Sequence, residues 1–433
     1  MRRTRHFAII GAGAGGLCAA KYLTQKGIEV TIFEVGSHLG GLWVYNNDSG
    51  MSPAYKSLHI NSEARVSAFV DFPFPDDAPL YPDHAEMSRY LERYAMHFDL
   101  ARRVRFRCRV KDVEARAGVF RVVLDSGEAS LFDGVVVATG HQSTPRHPPQ
   151  INGFEGEYVH AHSYRVPAPY ANKRVLVIGP GNSGVDIAAD ICTITEQTVL
   201  SARSPVLIMP RMMFGVPNSR IFLKLEQPFM PWRIRVWIRT MLTRVFHGKM
   251  EQWGFRTPKS RTHPISHPTL ISHIAWRRIK VKPGIVSVIG RQVRFTDGTL
   301  EDFDCIIAAT GYTTALPFLQ DDTSPIESGS THLNLYNRVV HPSLDGLYFI
   351  GFFDATGGSN IRMMDDQAEY IAALVTGAVK RRSEADMRRA MLREREWSQI
   401  QFPDSPRYGL ELDPRRYRRL LTEEYSRNHV RRA

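Results

Sequence analysis

The chain has 433 residues, 43% of them hydrophobic and 23% charged, enough to bury a large core and to form two domains rather than one. Its 32 Gly and 26 Pro lie near average usage, which excludes collagen-like, low-complexity and wholly disordered chains. The net charge of +12 is concentrated, because residues 203–282 carry 16 Lys/Arg against 2 Asp/Glu, and such a block points to an anionic ligand or surface.

The first element reads His6-Phe-Ala-Ile-Ile followed by Gly11-Ala-Gly13-Ala-Gly-Gly16, then a small-residue helix to Gln25 and a strand over Glu29–Glu34. Arg2, Arg3 and Arg5 before an apolar stretch resemble a signal peptide, but the glycine pattern and Lys21 argue against that reading. Strand, GxGxxG, helix and strand form the βαβ unit that binds a dinucleotide. Gly11 makes the tight turn, Gly13 lets the backbone approach a pyrophosphate, and Gly16 lets the helix pack on the strand. Glu34 then stands where a carboxylate accepts hydrogen bonds from both ribose hydroxyls, which suits FAD or NAD.

The pattern recurs. Arg174-Val-Leu-Val-Ile precedes Gly179-Pro-Gly181-Asn182-Ser183-Gly184, a helix to Cys192, and a strand ending Ser201-Ala-Arg203. Here no acid follows the second strand. An Arg can pair bidentately with a 2′-phosphate that a carboxylate would repel, so this unit suits NADPH, the alternative being a solvated charge at a strand end. Two further strands, Asp133–Gly140 and Asp304–Gly311, each end in Ala-Thr-Gly (Thr139 and Thr310), and each follows a hairpin-like stretch, Val119–Leu131 and Val286–Phe303. The predicted fold class is α/β with two Rossmann-like dinucleotide-binding domains, the NADP domain inserted in the FAD domain. The expected pieces are 1–165 and 295–379 for FAD, 166–294 for NADPH with a basic insertion over 205–283, and an Arg-rich helical extension over 380–433.

The sequence Phe154-Glu-Gly156-Glu-Tyr-Val-His160-Ala-His-Ser-Tyr164 lies between the two units. It resembles the FxGxxxHxxxY/F signature of the flavin-containing monooxygenases, class B flavoproteins with the three-layer ββα nucleotide-binding fold. Gly40-Gly41-Leu42-Trp43, Leu58-His-Ile-Asn61, Asp71–Pro75, Pro82-Asp-His84, both Ala-Thr-Gly turns and Asp365–Glu369 extend the resemblance over about residues 6 to 378. It implies a cycle in which NADPH reduces FAD, O2 adds at the flavin C4a atom, and the hydroperoxide gives one oxygen to a small-molecule substrate. The disulfide reductases share the architecture but need a redox cysteine pair. Cys18, Cys108, Cys192 and Cys305 are scattered with no CxxC pair, so dithiol and structural zinc chemistry lack their ligands and a reduced, cytoplasmic setting is expected.

The resemblance assigns residues. Asn61 is the expected reactive-centre residue, since an uncharged amide both donates and accepts hydrogen bonds; the alternative is an Asx-turn residue. Gly41, Leu42 and Trp43 line the flavin, Trp43 otherwise being core, and Val110 contacts adenine through its backbone. Gln367 stands near the nicotinamide and flavin or on an exposed helix face. His160 and Tyr164 organise the domain link and the NADP site, and Tyr164, where Baeyer–Villiger members typically carry Trp, favours heteroatom oxygenation. Baeyer–Villiger chemistry, oxidative decarboxylation and a non-oxygenating NADPH oxidase or sensor stay as alternatives.

Within the basic block, residues 231–246 place Ile234, Trp237, Ile238, Met241 and Val245 on one helical face flanked by Arg233, Arg235, Arg239 and Arg244. Two readings stand: a cover over a substrate tunnel, which is preferred, and peripheral contact with an acidic membrane. No zinc-finger or RNP-type signature accompanies the block, so nucleic acid is not expected. No apolar run of about 18 residues occurs, so no membrane span is predicted. Residues 380–433 read as a solvated helix pair or a homo-oligomer contact.

Overall fold

The computed structural model describes residues 4–225, 230–263, 265–320, 323–326, 333–403, 405 and 409–429; Arg2 and Arg3 of the signal-like segment lie outside these. Its helices are α1 (Ala14–Gln25), α2 (His84–His97), α3 (Asn182–Ile191), α4 (Asn218–Leu225), α5 (Trp232–His247), α6 (Leu270–Ala275), α7 (Asn360–Thr376), α8 (Glu384–Gln401) and α9 (Pro414–His429). The chain forms two units: Met1–Ser52, Ala64–Thr144 and Thr313–Ala433, and, separately, Pro53–Glu63 with Pro145–Tyr312.

In the first unit five parallel strands run in the order Leu347–Phe349, Gly134–Val137, His6–Ile10, Glu29–Phe33, Val104–Arg105. The register pairs His6 with Glu29 and Ile10 with Phe33, which sets the Gly11 turn beside the end of the second strand. An antiparallel meander (Val110–Arg116, Val119–Leu124, Ala129–Phe132) covers one face: Ala8, Ile10, Val135 and Val137 share a buried cluster with Val113, Phe120, Val122 and Phe132. α1 and α7 pack on each other, and Cys18 of α1 donates to Asp365 of α7 at 3.3 Å.

The second unit repeats this plan. Its sheet order is Glu157–His160, Cys305–Ala308, Arg174–Ile178, Gln197–Ser201, Ile279–Lys282, again all parallel. Strands buried on both faces need near-continuous apolar runs, and Val175-Leu-Val-Ile178 supplies one. Val175 and Val177 face α3 through Val185, Ile187 and Ile191. Leu176 and Ile178 face the meander (Ile285–Ile289, Gln292–Phe295, Leu300–Asp302) through Val288, Val293 and Phe295. Each unit is thus helix, parallel sheet and meander in three layers.

The units divide at 144/145 and 312/313, not near 165 and 295. The reason is strand pairing: Glu157–His160 and Cys305–Ala308 are strands of the second sheet, joined in register from Glu157–Cys305 to His160–Ala308. The meander that the expected boundary at 294 cuts lies whole in the second unit, and so does the segment Pro53–Glu63. The described residues from 380 onward are integral to the first unit. Glu411–Leu412 pairs in parallel with Asp354–Ala355, and Phe402, Leu410, Leu412, Tyr417 and Leu421 are buried.

α5 covers its expected apolar face only in part: Ile234, Trp237 and Val245 are exposed and Ile238 and Met241 half-buried, while Thr243 is buried and Leu242 and Phe246 pack against Met209, Met213 and Phe222. The Arg239 guanidinium lies 5.3 Å from the centre of the Phe222 ring.

Candidate functional sites

In the first unit the glycine turn is a tight backbone cradle. Gly11 has φ +105°, and a Cβ there would come 2.7 Å from the Ala138 carbonyl oxygen. A Cβ on Gly16 would lie 1.9 Å from the Gly11 carbonyl oxygen, so only glycine allows this helix to start against its strand. α1 begins at Gly13 with no side-chain cap and no acid in its first turn, leaving its N–H groups for an anion. Gly41, at φ +58°, returns the chain against Gly13, where a Cβ would meet the Gly13 Cα at 3.0 Å.

Glu34 is buried at the same turn. Its Oε2 accepts the Ala12 N–H and its Oε1 the Gly36 N–H, both at 2.8 Å, which holds the carboxylate in one orientation with lone pairs to spare. Val35, the next residue, borders a cleft of about 520 Å³ together with Asp48, Arg105, Arg107, Cys108 and Arg109. Thr139 Oγ1 is buried with no hydrogen-bond partner among the described residues. Leu42 is exposed, Trp43 half-buried, and Val110 opens the meander paired with Leu124. Gln367 is fully buried: its Oε1 accepts the Gly351 N–H and its Nε2 donates to the Tyr417 hydroxyl, each at 3.0 Å.

The second unit builds the same turn. Gly179 has φ +108° with its missing Cβ 2.6 Å from the Ala309 carbonyl oxygen, and a Cβ on Gly184 would lie 1.9 Å from the Gly179 oxygen. α3 starts at Gly181 with no side-chain cap and no acid in its first turn, and space above Gly181 is open. Asn182 Oδ1 is buried without a partner among the described residues, and Ser183 follows it half-buried. Ser201 is buried and donates to the Pro283 carbonyl at 2.8 Å. Arg203 is exposed, its stem over Gly284, and its guanidinium has no ion pair or hydrogen bond among the described residues.

A polar cluster surrounds Pro53–Glu63 in this unit. Tyr55 donates to Asp186 Oδ2 at 2.8 Å, and Ser57 and Tyr164 donate to Asp190 Oδ2 at 2.8 and 2.6 Å. Arg211 donates to Asn61 Oδ1 at 3.0 Å, and Arg220 pairs with the buried Glu63 at 2.7 Å. Burial raises the Asp186 carboxyl to about 6 against the lowering pull of Tyr55 and Arg211. Burial, with Arg211 nearby, pushes His267 down to about 3. His160 accepts the His162 N–H on Nδ1 and faces the Gly311 carbonyl with Nε2 at 3.1 Å, so it is the neutral Nε2–H tautomer. Burial, then His147, pushes it down to about 4, leaving it a structural donor at neutral pH. Asp186, Asp190, Arg211 and Arg220 went unnoticed in the sequence, where only the i, i+4 spacing of the two aspartates on α3 signals a shared face.

Sequence comparison matches the flavin-binding monooxygenase-like family over residues 4–414. Flavin-containing monooxygenase 1 of Homo sapiens is 32% identical over 404 residues, covering 87% of this chain and 74% of that protein. Flavin-containing monooxygenase 3 of Pan troglodytes is 32% identical over 90% of this chain and 78% of its own. Among solved structures, the S-allyl-L-cysteine S-oxygenase from Allium sativum superposes with a TM-score of 0.72 at 25% identity over 98% of this chain and 89% of that one. A cyclohexanone monooxygenase shares the fold, with a TM-score of 0.72 at 18% identity over 98% of both chains.

The chain belongs to the flavin-containing monooxygenase family, and it is a flavin-dependent NADPH monooxygenase with FAD and NADPH as cofactors. The two cradles fit those groups. Each closes where a single Cβ would block it, each leaves an uncapped helix start, and each keeps a buried polar oxygen, on Thr139 or Asn182, with no protein partner among the described residues.

Proposed function

We propose that the enzyme transfers one oxygen atom of O2 to a soft nucleophile, an amine nitrogen or a sulfide sulfur, on a small metabolite. The similarity to the Allium sativum S-oxygenase along 98% of this chain is the observation that carries this reading. Bound FAD supplies oxygen activation once NADPH has reduced it. Gly11, Gly13, Gly16 and Glu34 hold its adenosine pyrophosphate with Val110 and Thr139, and Gly41, Leu42 and Trp43 line its ring. Gly179, Gly181, Asn182, Ser183 and Gly184 hold the NADPH pyrophosphate, and Arg203 its 2′-phosphate, with Ser201 shaping the strand end. Asn61 is the reactive-centre amide. Gln367 and Tyr164 act from within by fixing Gly351 and Asp190.

The test is a panel of amines, sulfides, ketones and 2-oxo acids under 18O2 with NADPH. An N-oxide or sulfoxide carrying one labelled atom is the expected product. A lactone or ester would replace the reading by Baeyer–Villiger chemistry, loss of CO2 by oxidative decarboxylation, and hydrogen peroxide alone by a non-oxygenating oxidase.

We propose a cytoplasmic protein that touches acidic membranes through α5. Among the described residues no helix is long and apolar enough to cross a membrane. Support comes from the outward Trp237, 62% exposed, and Val245, 72% exposed, beside Arg233 and Arg244. Co-sedimentation with phosphatidylglycerol vesicles at low salt is expected and should fall at least about fivefold in Trp237→Glu. Equal binding by both proteins, or none by either, would reject the contact.

A further inference from the structure

The segment Pro53–Glu63 is stapled to its unit through side chains at four positions, 55, 57, 61 and 63. Two staples end on Asp186 and Asp190, one turn apart on α3, the helix that starts at the second glycine turn. The other two end on Arg211 and Arg220 from the basic block. A backbone bond from the Lys56 N–H to the Arg165 carbonyl at 2.9 Å adds a fifth. His267 supports Asp186 in turn. Its Nδ1 accepts the Leu270 N–H at 2.9 Å, so its proton sits on Nε2, 3.4 Å from Asp186 Oδ1.

We propose that Arg211 is a positioning residue for Asn61, fixing its carboxamide so that the oxygen is held toward the guanidinium and the NH2 group is turned to bound ligand. A guanidinium carries donors only, so the atom it meets at 3.0 Å is the amide oxygen, and the flipped amide would set N–H against N–H. Among the described residues this is the hydrogen bond of the Asn61 side chain. The Asn61 NH2 group is therefore left unclaimed by the described residues, and its orientation is inherited from Arg211 and the staples on α3. This rests on the reading of Asn61 as the reactive-centre amide.

The experiment is a double-mutant cycle of Asn61→Ala and Arg211→Ala in the holoenzyme, with Arg211→Lys as the conservative control, scoring hydrogen peroxide released per NADPH with a sulfide substrate. Arg211→Ala should raise that ratio about tenfold in the native background and less than about twofold when Asn61 is already Ala. Arg211→Lys should recover part of the loss, and KM for NADPH should stay within about twofold. Independently of turnover, hydrogen exchange in the protein without added cofactor should rise at residues 58–62 in Arg211→Ala and not at 174–178. Equal fold-effects of Arg211→Ala in both backgrounds would overturn the proposal alone, as would unchanged exchange at 58–62. A neutral Asn61→Ala would instead remove the reading of Asn61 itself, and the proposal with it.

Discussion

Gly184→Ala should give a yellow protein that NADPH reduces at least about a hundredfold more slowly, whereas Gly16→Ala should give a colourless one. In both turns the added methyl would lie 1.9 Å from a carbonyl oxygen of the same turn, Gly179 or Gly11. A backbone atom cannot rotate away as a side chain can, so the helix start must shift off its strand. Overpacking of this kind costs about 1–3 kcal/mol or more. The shift takes the uncapped N–H groups of α3 or α1 away from the pyrophosphate, but each cradle belongs to a different three-layer unit. The losses are therefore expected to be separable. Flavin absorbance after gel filtration reports the first cradle, and stopped-flow bleaching of that absorbance by NADPH reports the second. A Gly184→Ala protein reduced at the native rate would place the nicotinamide cofactor elsewhere.

Arg203→Ala is expected to raise KM for NADPH about thirtyfold and to leave KM for NADH within about twofold. A charge-assisted hydrogen bond contributes about 1.5–3 kcal/mol, and the thirtyfold change corresponds to about 2 kcal/mol. Exposure of Arg203 to solvent keeps the figure at the lower end. Its guanidinium is unengaged by the described protein residues, so removing it disturbs no ion pair and the change in KM reads ligand contact directly. Steady-state kinetics with both cofactors decide this, and an equal rise for NADH would assign the residue to packing over Gly284.

The parts of this molecule that show in the sequence are those whose cause is local. Arg174-Val-Leu-Val-Ile can only be a strand buried on both faces, and Gly179 and Gly184 follow at fixed distances because turn and helix start are adjacent along the chain. The same holds for Gly11, Gly16 and the short reach to Glu34. Long-range causes are silent. Pro53–Glu63 belongs to the second unit because residues such as Asp186 and Arg211 hold it, 131 and 150 residues away from Tyr55 and Asn61. Nothing in Tyr55 or Asn61 foretells those partners. Likewise, a helix with two unlike faces shows in α5, but which face is covered depended on Met209, Met213 and Phe222, whose packing no periodicity encodes. The boundary near 295 missed because Cys305–Ala308 joins the sheet of Arg174–Ile178, a choice made by pairing rather than by composition.

One hydroxyl near the carboxyl end has a wider consequence. Tyr417 receives the Gln367 amide and donates to the Asn337 carbonyl at 2.8 Å, while Arg338 reaches the Gly409 and Glu411 carbonyls. Gly409, Glu411 and Tyr417 therefore complete the first unit as a keystone completes an arch, and shortening the gene at residue 380 would cost that unit its closure.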